Sequence, residues 1–279
     1  MRAAPDEGTP VADLQAVILG VVQGLTEFLP ISSSGHLVLA ATWFGFAEHG
    51  ESLELAIDIA TNTGTFLAVL VALRADVWRA ASGFLRGLVS ADARREDGWH
   101  LALLVLLGSV PTALIGLTLR EVFEVLNAAT PVSVALIATG AILWTAPAKG
   151  ARSRPRDLRP RDALVAGLAQ GLAVIPGISR SGSTIVALLW RDVDAALAAR
   201  LSFLLYLVAS LGVAVLGVGE VRDAQLGWSA IAWMTLASFV TGWAALAWLF
   251  RLLRSGRFRW FAPYLWAVAG LTLLRGIVA

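Results

Sequence analysis

Two short stretches of this chain hold most of the residue types that could do chemistry. The first, QGLTEFLPISSSG at 23–35, supplies Gln23, Glu27, Ser32, Ser33 and Ser34, and His36 follows it directly. The second, QGLAVIPGISRSG at 170–182, supplies Ser179, Arg180, Ser181 and Gly182, with Ser183 next. Hydroxyls and backbone N–H groups at a helix start form an anion site. An arginine adds a permanent charge and a planar fork that suits phosphate. A histidine moves protons near neutral pH. Glu27, a serine, His36 and Arg180 thus offer a base, a nucleophile, an acid and a phosphate clamp. One or two of the six serines are expected to do no more than cap helices. Capping explains neither His36 nor Arg180.

The elements that must position these residues come from an internal repeat. The two stretches align without gaps at an offset of 147, with seven identities in 13 positions. The first hairpin helix carries small and polar residues at i, i+3, i+4 and i+7, Gly20, Gln23, Gly24 and Glu27, and the second repeats the pattern as Gly167, Gln170, Gly171 and Val174. This spacing falls on one helix face. Close helix packing accounts for the glycines. It does not account for Glu27, because a carboxylate in a membrane segment costs at least ~2.5 kcal/mol. Pro30 and Gly35 break the first apolar segment, and Pro176, Gly177 and Gly182 break the second. Irregular backbone at membrane depth survives where protein or a wet cavity satisfies it. Residues 11–45 and 161–190 therefore read as re-entrant helical hairpins.

Three spans follow each hairpin, at about 53–74, 99–119 and 131–147, then 195–218, 228–250 and 260–278. Three is odd, so the second half inserts upside down relative to the first, and the site lies where the halves meet. The expected fold is an all-α polytopic membrane protein with an inverted-topology repeat. Its parts are a polar tail at 1–10, a first repeat at 11–147, a basic cytoplasmic linker at 148–160 and a second repeat at 161–279.

Composition agrees. The chain is 57% hydrophobic and 15% charged, with mean hydropathy +0.73. A soluble chain carries about 25% charged residues, and crossing a bilayer takes roughly 20 apolar residues as helix. Eleven tryptophans suit many membrane interfaces. The absence of cysteine excludes disulfides, thiolate metal sites and cysteine nucleophiles. Net charge is only +2, and the arginines sit in loops, which argues against nucleic acid. They cluster as Arg79, Arg86, Arg94 and Arg95, as Lys149 with Arg152, Arg154, Arg156, Arg159 and Arg161, and as Arg251, Arg254, Arg257 and Arg259. All three clusters fall on one side of the expected topology, hence cytoplasmic. The other side receives Glu48, Glu51, Glu121, Glu124, Glu220 and Asp223, and both termini lie outside. A polar stripe in the first span, Glu54, Asp58 and Asn62 with Thr61 and Thr65, points into the bundle to support the site or to bond a neighbouring helix.

At QGLTEFLPISSSGH (23–36) and PGISRSGSTI (176–185) the chain resembles the undecaprenyl-diphosphatase (bacitracin-resistance) family, with weaker echoes at 62–70, 108–116 and 199–205. The resemblance spans nearly the whole chain. It implies a membrane hydrolase that removes the terminal phosphate of a C55 polyprenyl diphosphate, recycling the lipid carrier for cell-wall synthesis. It also implies a bacterial cell membrane location and a site open to the outer face. The functional residues carry over to Glu27, Ser33, His36 and Arg180. Gln23, Ser32, Ser34, Ser179, Ser181, Gly182 and Ser183 are expected to bind substrate. A divalent cation, Mg²⁺ or Ca²⁺, is expected at Glu27. Expected partners are the polyprenyl diphosphate and membrane lipids, with a homodimer left open. Four positions depart from the family pattern: Gln23 where many members have a second glutamate, Asn62 in place of His or Gln, Val208 in place of Pro, and Leu265 in place of Arg. The nucleophile, Ser33 or water, stays open. The competing class is a lipid-phosphate transporter, which would want Arg180 and the serines but not Glu27 and His36.

Overall fold

The computed structural model describes residues 11, 13–44, 51–119, 125–148, 150–223 and 226–278. The 1–10 tail, Glu48, Glu121, Glu124 and Lys149 lie outside the described residues, as do the side chains of Glu51, Glu54, Glu220 and Asp223. The described residues are helical, with no strand beyond one isolated bridge between Arg152 and Val193. Helices α1 (Asp13–Phe28) and α2 (Ser33–Phe44) form the first hairpin. Then come α3 (Glu51–Ala72), α4 (Arg74–Val89), α5 (Asp97–Thr118) and α6 (Ala129–Trp144). The second hairpin is α7 (Pro160–Leu172) and α8 (Arg180–Leu189), followed by α9 (Ala195–Asp223), α10 (Trp228–Arg254) and α11 (Phe261–Val278).

Local chemistry sets the hairpin breaks. Pro30 lacks an N–H and pushes Leu29 out of the helical region, so α1 stops at Phe28. Ser32 then takes φ 68°, a left-handed conformation rare for a side chain with a Cβ, and reverses the chain. In the second hairpin the reversal falls on Gly177, at φ 93°, where no Cβ resists it. Ser179 caps α8 by accepting a hydrogen bond from the Gly182 N–H at 3.1 Å. Pro160 opens α7 at a position where its missing N–H costs nothing.

Each hairpin packs on a helix of the other half. α1 lies along α10, where a Cβ on Gly20 or Gly24 would collide with the Met234 and Ser238 carbonyls and Thr241. α7 lies along α5, where a Cβ on Gly167 or Gly171 would collide with Gly108 and Ile115. Both pairs run parallel, and in both the repeated glycines form the seam.

Among the described residues four helices are long and apolar enough to cross a membrane: Leu55–Ala72 in α3, α5, Ala195–Leu216 in α9, and α10. α6 is apolar and shorter, at 16 residues. Leu103, Leu106, Leu114 and Leu117 on α5 and Leu211, Val215 and Leu216 on α9 are exposed, a surface suited to hydrocarbon and not to water.

The three basic loops gather at one end. Arg156 pairs with Asp97 and donates to the Arg95 carbonyl, so the linker meets the loop before α5. Gly256 approaches Ala148, so the loop before α11 joins them. At this end Asp162, fully buried in the first turn of α7, accepts from Arg152 Nη1 at 2.7 Å, Arg191 Nε at 2.5 Å and the Arg159 N–H at 2.8 Å. Burial pushes the Asp162 carboxyl up, but these hydrogen bonds outweigh it and hold the group below the usual carboxylate range. The cluster ties the linker to both ends of the second hairpin.

One element departs from the sequence reading. The segment expected as a loop after the first span folds as α4, and Gly83 and Gly87 let it close on Gly98 and Trp99.

Candidate active site

The two hairpin tips meet reciprocally. A Cβ on Gly35 would lie 3.0 Å from the Gly177 Cα, and one on Gly182 would lie 3.2 Å from the Pro30 Cβ. These are equivalent pairs: Gly35 aligns with Gly182, and Pro30 with Gly177. Ser181 Oγ also donates to the Leu29 carbonyl at 3.3 Å. The close approach needs glycine on both sides, and it brings the last turn of α1 against the first turn of α8.

Glu27 is the hub of this junction. It is 8% exposed, in the last turn of α1. Ser33 Oγ donates to its Oε2 at 2.6 Å, and Gln23 Nε2, one turn back, donates to the same oxygen at 2.9 Å. Arg180 Nη2 pairs with the other oxygen, Oε1. A buried carboxylate needs such partners to stay ionised. Gln23 Nε2 also reaches Asn62 Oδ1 at 3.4 Å, so Asn62 supports the site from α3, while Asp58 of the same stripe is exposed.

Arg180 is held on its other face. Its guanidinium carbon lies 4.2 Å from the centre of the Tyr206 ring, within cation–π range. Tyr206 OH in turn meets Thr65 Oγ1 at 2.9 Å. A narrow cleft of about 10 Å³, room for one water, lies here, lined by Glu27, Phe28, Arg180, Ser181, Ser202, Phe203 and Tyr206.

His36 stands one turn along α2 from Ser33 and is held by different groups. Its Nδ1 is 2.9 Å from the Ser32 carbonyl, and its Nε2 is 2.8 Å from Tyr264 OH on α11. A carbonyl only accepts, so Nδ1 carries a proton, and Nε2 can exchange a hydrogen bond with the Tyr264 hydroxyl in either direction. Glu27 thus bonds Ser33, while His36 is held by the Ser32 carbonyl and Tyr264.

The expected substrate-binding serines divide. Ser32 caps the tip, with its Oγ 3.4 Å from both Ser34 Oγ and the Gly35 N–H. Ser179 and Ser181 repeat that 3.4 Å hydroxyl contact in the second hairpin. Ser183, aligned with His36, is buried and its hydroxyl has no partner. Leu265, where arginine was expected, is fully buried in the core, and Val208 is 38% exposed.

Two participants escaped the sequence reading, Tyr206 and Tyr264. They are the only tyrosines in the chain. A polar aromatic used twice, each time inside an apolar span, was the available signal.

No group of three or more His, Cys, Asp or Glu stands together among the described residues. The oxygens near Glu27 are hard donors with one carboxylate among them. That set suits a Mg²⁺ that binds one or two carboxylates and takes its other ligands from substrate phosphates and water. It does not make an all-protein cage.

The family model described as bacitracin resistance protein BacA matches residues 16–271. An undecaprenyl-diphosphatase of Acaryochloris marina is 59% identical over 262 residues, 94% of this chain and 97% of the relative. One of Desulfosudis oleivorans is 40% identical over 281 residues, covering 95% and 98%. One of a Nocardioides species is 36% identical over 273 residues, covering 95% and 98%. This all-helical membrane protein belongs to the bacitracin resistance protein BacA family.

Proposed function

We propose that the chain hydrolyses undecaprenyl diphosphate to the monophosphate and phosphate, in a bacterial cell membrane, with its site reached from the outer face. The observation that carries the reading is Glu27 joined at once to Ser33 and Arg180 across the two hairpin tips. Relatives named undecaprenyl-diphosphatase along the whole length support it.

Phosphoryl transfer needs mainly positioning and neutralised charge. Arg180, steadied on Tyr206, exchanges Glu27 for the phosphate oxygens as substrate arrives. The N–H groups that open α8 add partial positive charge. Ser33 attacks the terminal phosphorus while its proton passes to Glu27. The P–O bond to the inner phosphate breaks, and the lipid monophosphate leaves. Water then releases phosphate from Ser33, and Glu27 and His36 manage the protons. Gln23, Ser32, Ser34, Ser179, Ser181, Gly182 and Ser183 shape the walls around the head group. A divalent cation would be held by the Glu27 carboxylate and the substrate's own oxygens, and would neutralise phosphate charge.

We also read the two halves as an inverted repeat, 11–147 and 161–279, joined by the linker 148–160. The parallel pairing of α1 with α10 and of α7 with α5 supports this. The three basic loops at one end support a cytoplasmic assignment for that end.

The test is phosphate release from purified protein given polyprenyl diphosphate, with and without Mg²⁺. Wild type is expected to release phosphate, more with Mg²⁺, and the Glu27→Gln variant to fall by orders of magnitude. No release from wild type sinks the enzyme reading. Translocation of lipid phosphate in vesicles without hydrolysis would establish a transporter instead.

A further inference from the structure

A second cavity lies away from Glu27, at the end of the molecule where the basic loops gather. Trp248 and Leu252 on α10, Arg257 in the loop, and Trp260 and Phe261 at the start of α11 line it. It shares no lining residue with the Glu27 cleft and holds about 760 Å³ of open space. Four of its five walls are apolar, and the fifth is a guanidinium. Among the described residues no hydrogen bond or ion pair engages the Arg257 side chain, and it is exposed. Arg251, Arg254 and Arg259 are exposed around it. No acidic residue follows Asp223 anywhere in the chain, so this segment carries no carboxylate of its own to neutralise them.

We infer that this cavity is a binding site for an anionic lipid. Arg257 would take the phosphate head group, and the aromatic walls would take the first part of an apolar chain. The chemistry is complementary at both ends. A guanidinium pairs with phosphate through two parallel N–H bonds. Aromatic rings at the membrane interface accept hydrocarbon on one side and a polar group on the other. Basic pockets between membrane helices are suited to lipid head groups. The same ligand chemistry could come from a glycerophospholipid or from a polyprenyl monophosphate.

Native mass spectrometry of the delipidated, detergent-solubilised protein separates the outcomes. The probes are phosphatidylglycerol, a polyprenyl monophosphate, and phosphatidylcholine as the zwitterionic control. Wild type is expected to take up one phosphatidylglycerol per chain and to prefer it over phosphatidylcholine. Because the Glu27 site also accepts a polyprenyl monophosphate, the relevant quantity for that probe is the copy lost on mutation. Arg257→Gln is expected to weaken the second-site lipid about ten- to hundredfold, the loss of a charge-assisted hydrogen bond. Phosphatase activity of Arg257→Gln is expected to stay at the wild-type level, which shows that the variant is folded. Arg275→Gln removes the same charge from the other end of α11 and is expected to bind as wild type does. Whichever anionic lipid Arg257→Gln loses names the source. Equal uptake of phosphatidylcholine, or unchanged uptake of both anionic probes by Arg257→Gln, overturns the inference.

Discussion

The two hairpins share a sequence pattern and a role in holding each other, yet they differ in what their side chains do. In the first, Glu27, Ser33 and His36 all make polar contacts at or beside the cleft, and Ser33 and His36 are half-buried. In the second, every residue of α8 from Ser181 to Leu189 is buried. Only Arg180 reaches across to the Glu27 cluster. The reversal differs too: the first hairpin turns through a strained Ser32, the second through a glycine. A strained residue held by its surroundings is the pattern of a working site. Two hairpins share a scaffold, and most of the polar side chains that meet Glu27 come from one of them.

That contrast can be broken by mutation. Glu27→Gln and Ser33→Ala should each lower phosphate release about 10²- to 10⁴-fold, the usual weight of a positioned base and its partner. Their thermal melting should move little by comparison, which differential scanning would show. Asp162→Asn should do the reverse. Removing one partner of a buried ion cluster costs about 3 kcal/mol, the low end of the range because both arginines are partly exposed. The melting temperature should fall while the folded fraction keeps its turnover. The sign with pH follows from the lowered carboxyl. The stabilisation is complete above the unfolded value near pH ~4 and is lost as pH falls through the still lower folded value.

The aligned pair His36 and Ser183 gives a sharper contrast. His36→Asn should cost about 10²-fold in turnover. Tyr264→Phe, which leaves the His36 ring without its hydroxyl partner, should cost about two- to tenfold in kcat at unchanged KM, with an altered pH–rate profile. Ser183→Ala should stay within about twofold in activity and melt no lower than wild type, because a buried hydroxyl without a partner contributes nothing that alanine lacks. A large loss in Ser183→Ala would mean that the second hairpin does more than hold and clamp.

Much of this was legible in the sequence. The gapless repeat located both hairpins, and helix ends fell close to the expected spans because Pro30, Pro160 and Pro176 punctuate the backbone. Glu27 and Arg180 stood out because charge in an apolar segment has to be accounted for. Which contacts they make was not legible. The bond from Glu27 to Ser33 and not to His36 depends on how Ser32 turns the chain, and φ is not written in a serine. Tyr206 and Tyr264 lie in spans outside the repeat motif, so only the three-dimensional packing connects them to it. α4 was missed because Leu73 interrupts a nearly continuous helix and the arginines that follow read as loop. The polar stripe on α3 was half informative: Asn62 meets Gln23 at the site, while Asp58 is exposed.

The packing of each hairpin on a helix of the opposite half also bears on how the chain is made. α1 precedes every other helix during synthesis, and the helix it lies along, α10, is nearly the last. At about 5–20 residues per second the wait between them is tens of seconds. Glu27 waits for Arg180 through most of that interval, and the α1 glycines wait for α10 through all of it. A ribosome that stalls before Trp228 leaves the first hairpin packed on α3 but without its glycine seam. The order of translation thus makes catalytic competence a late event, one that waits on the synthesis of α10.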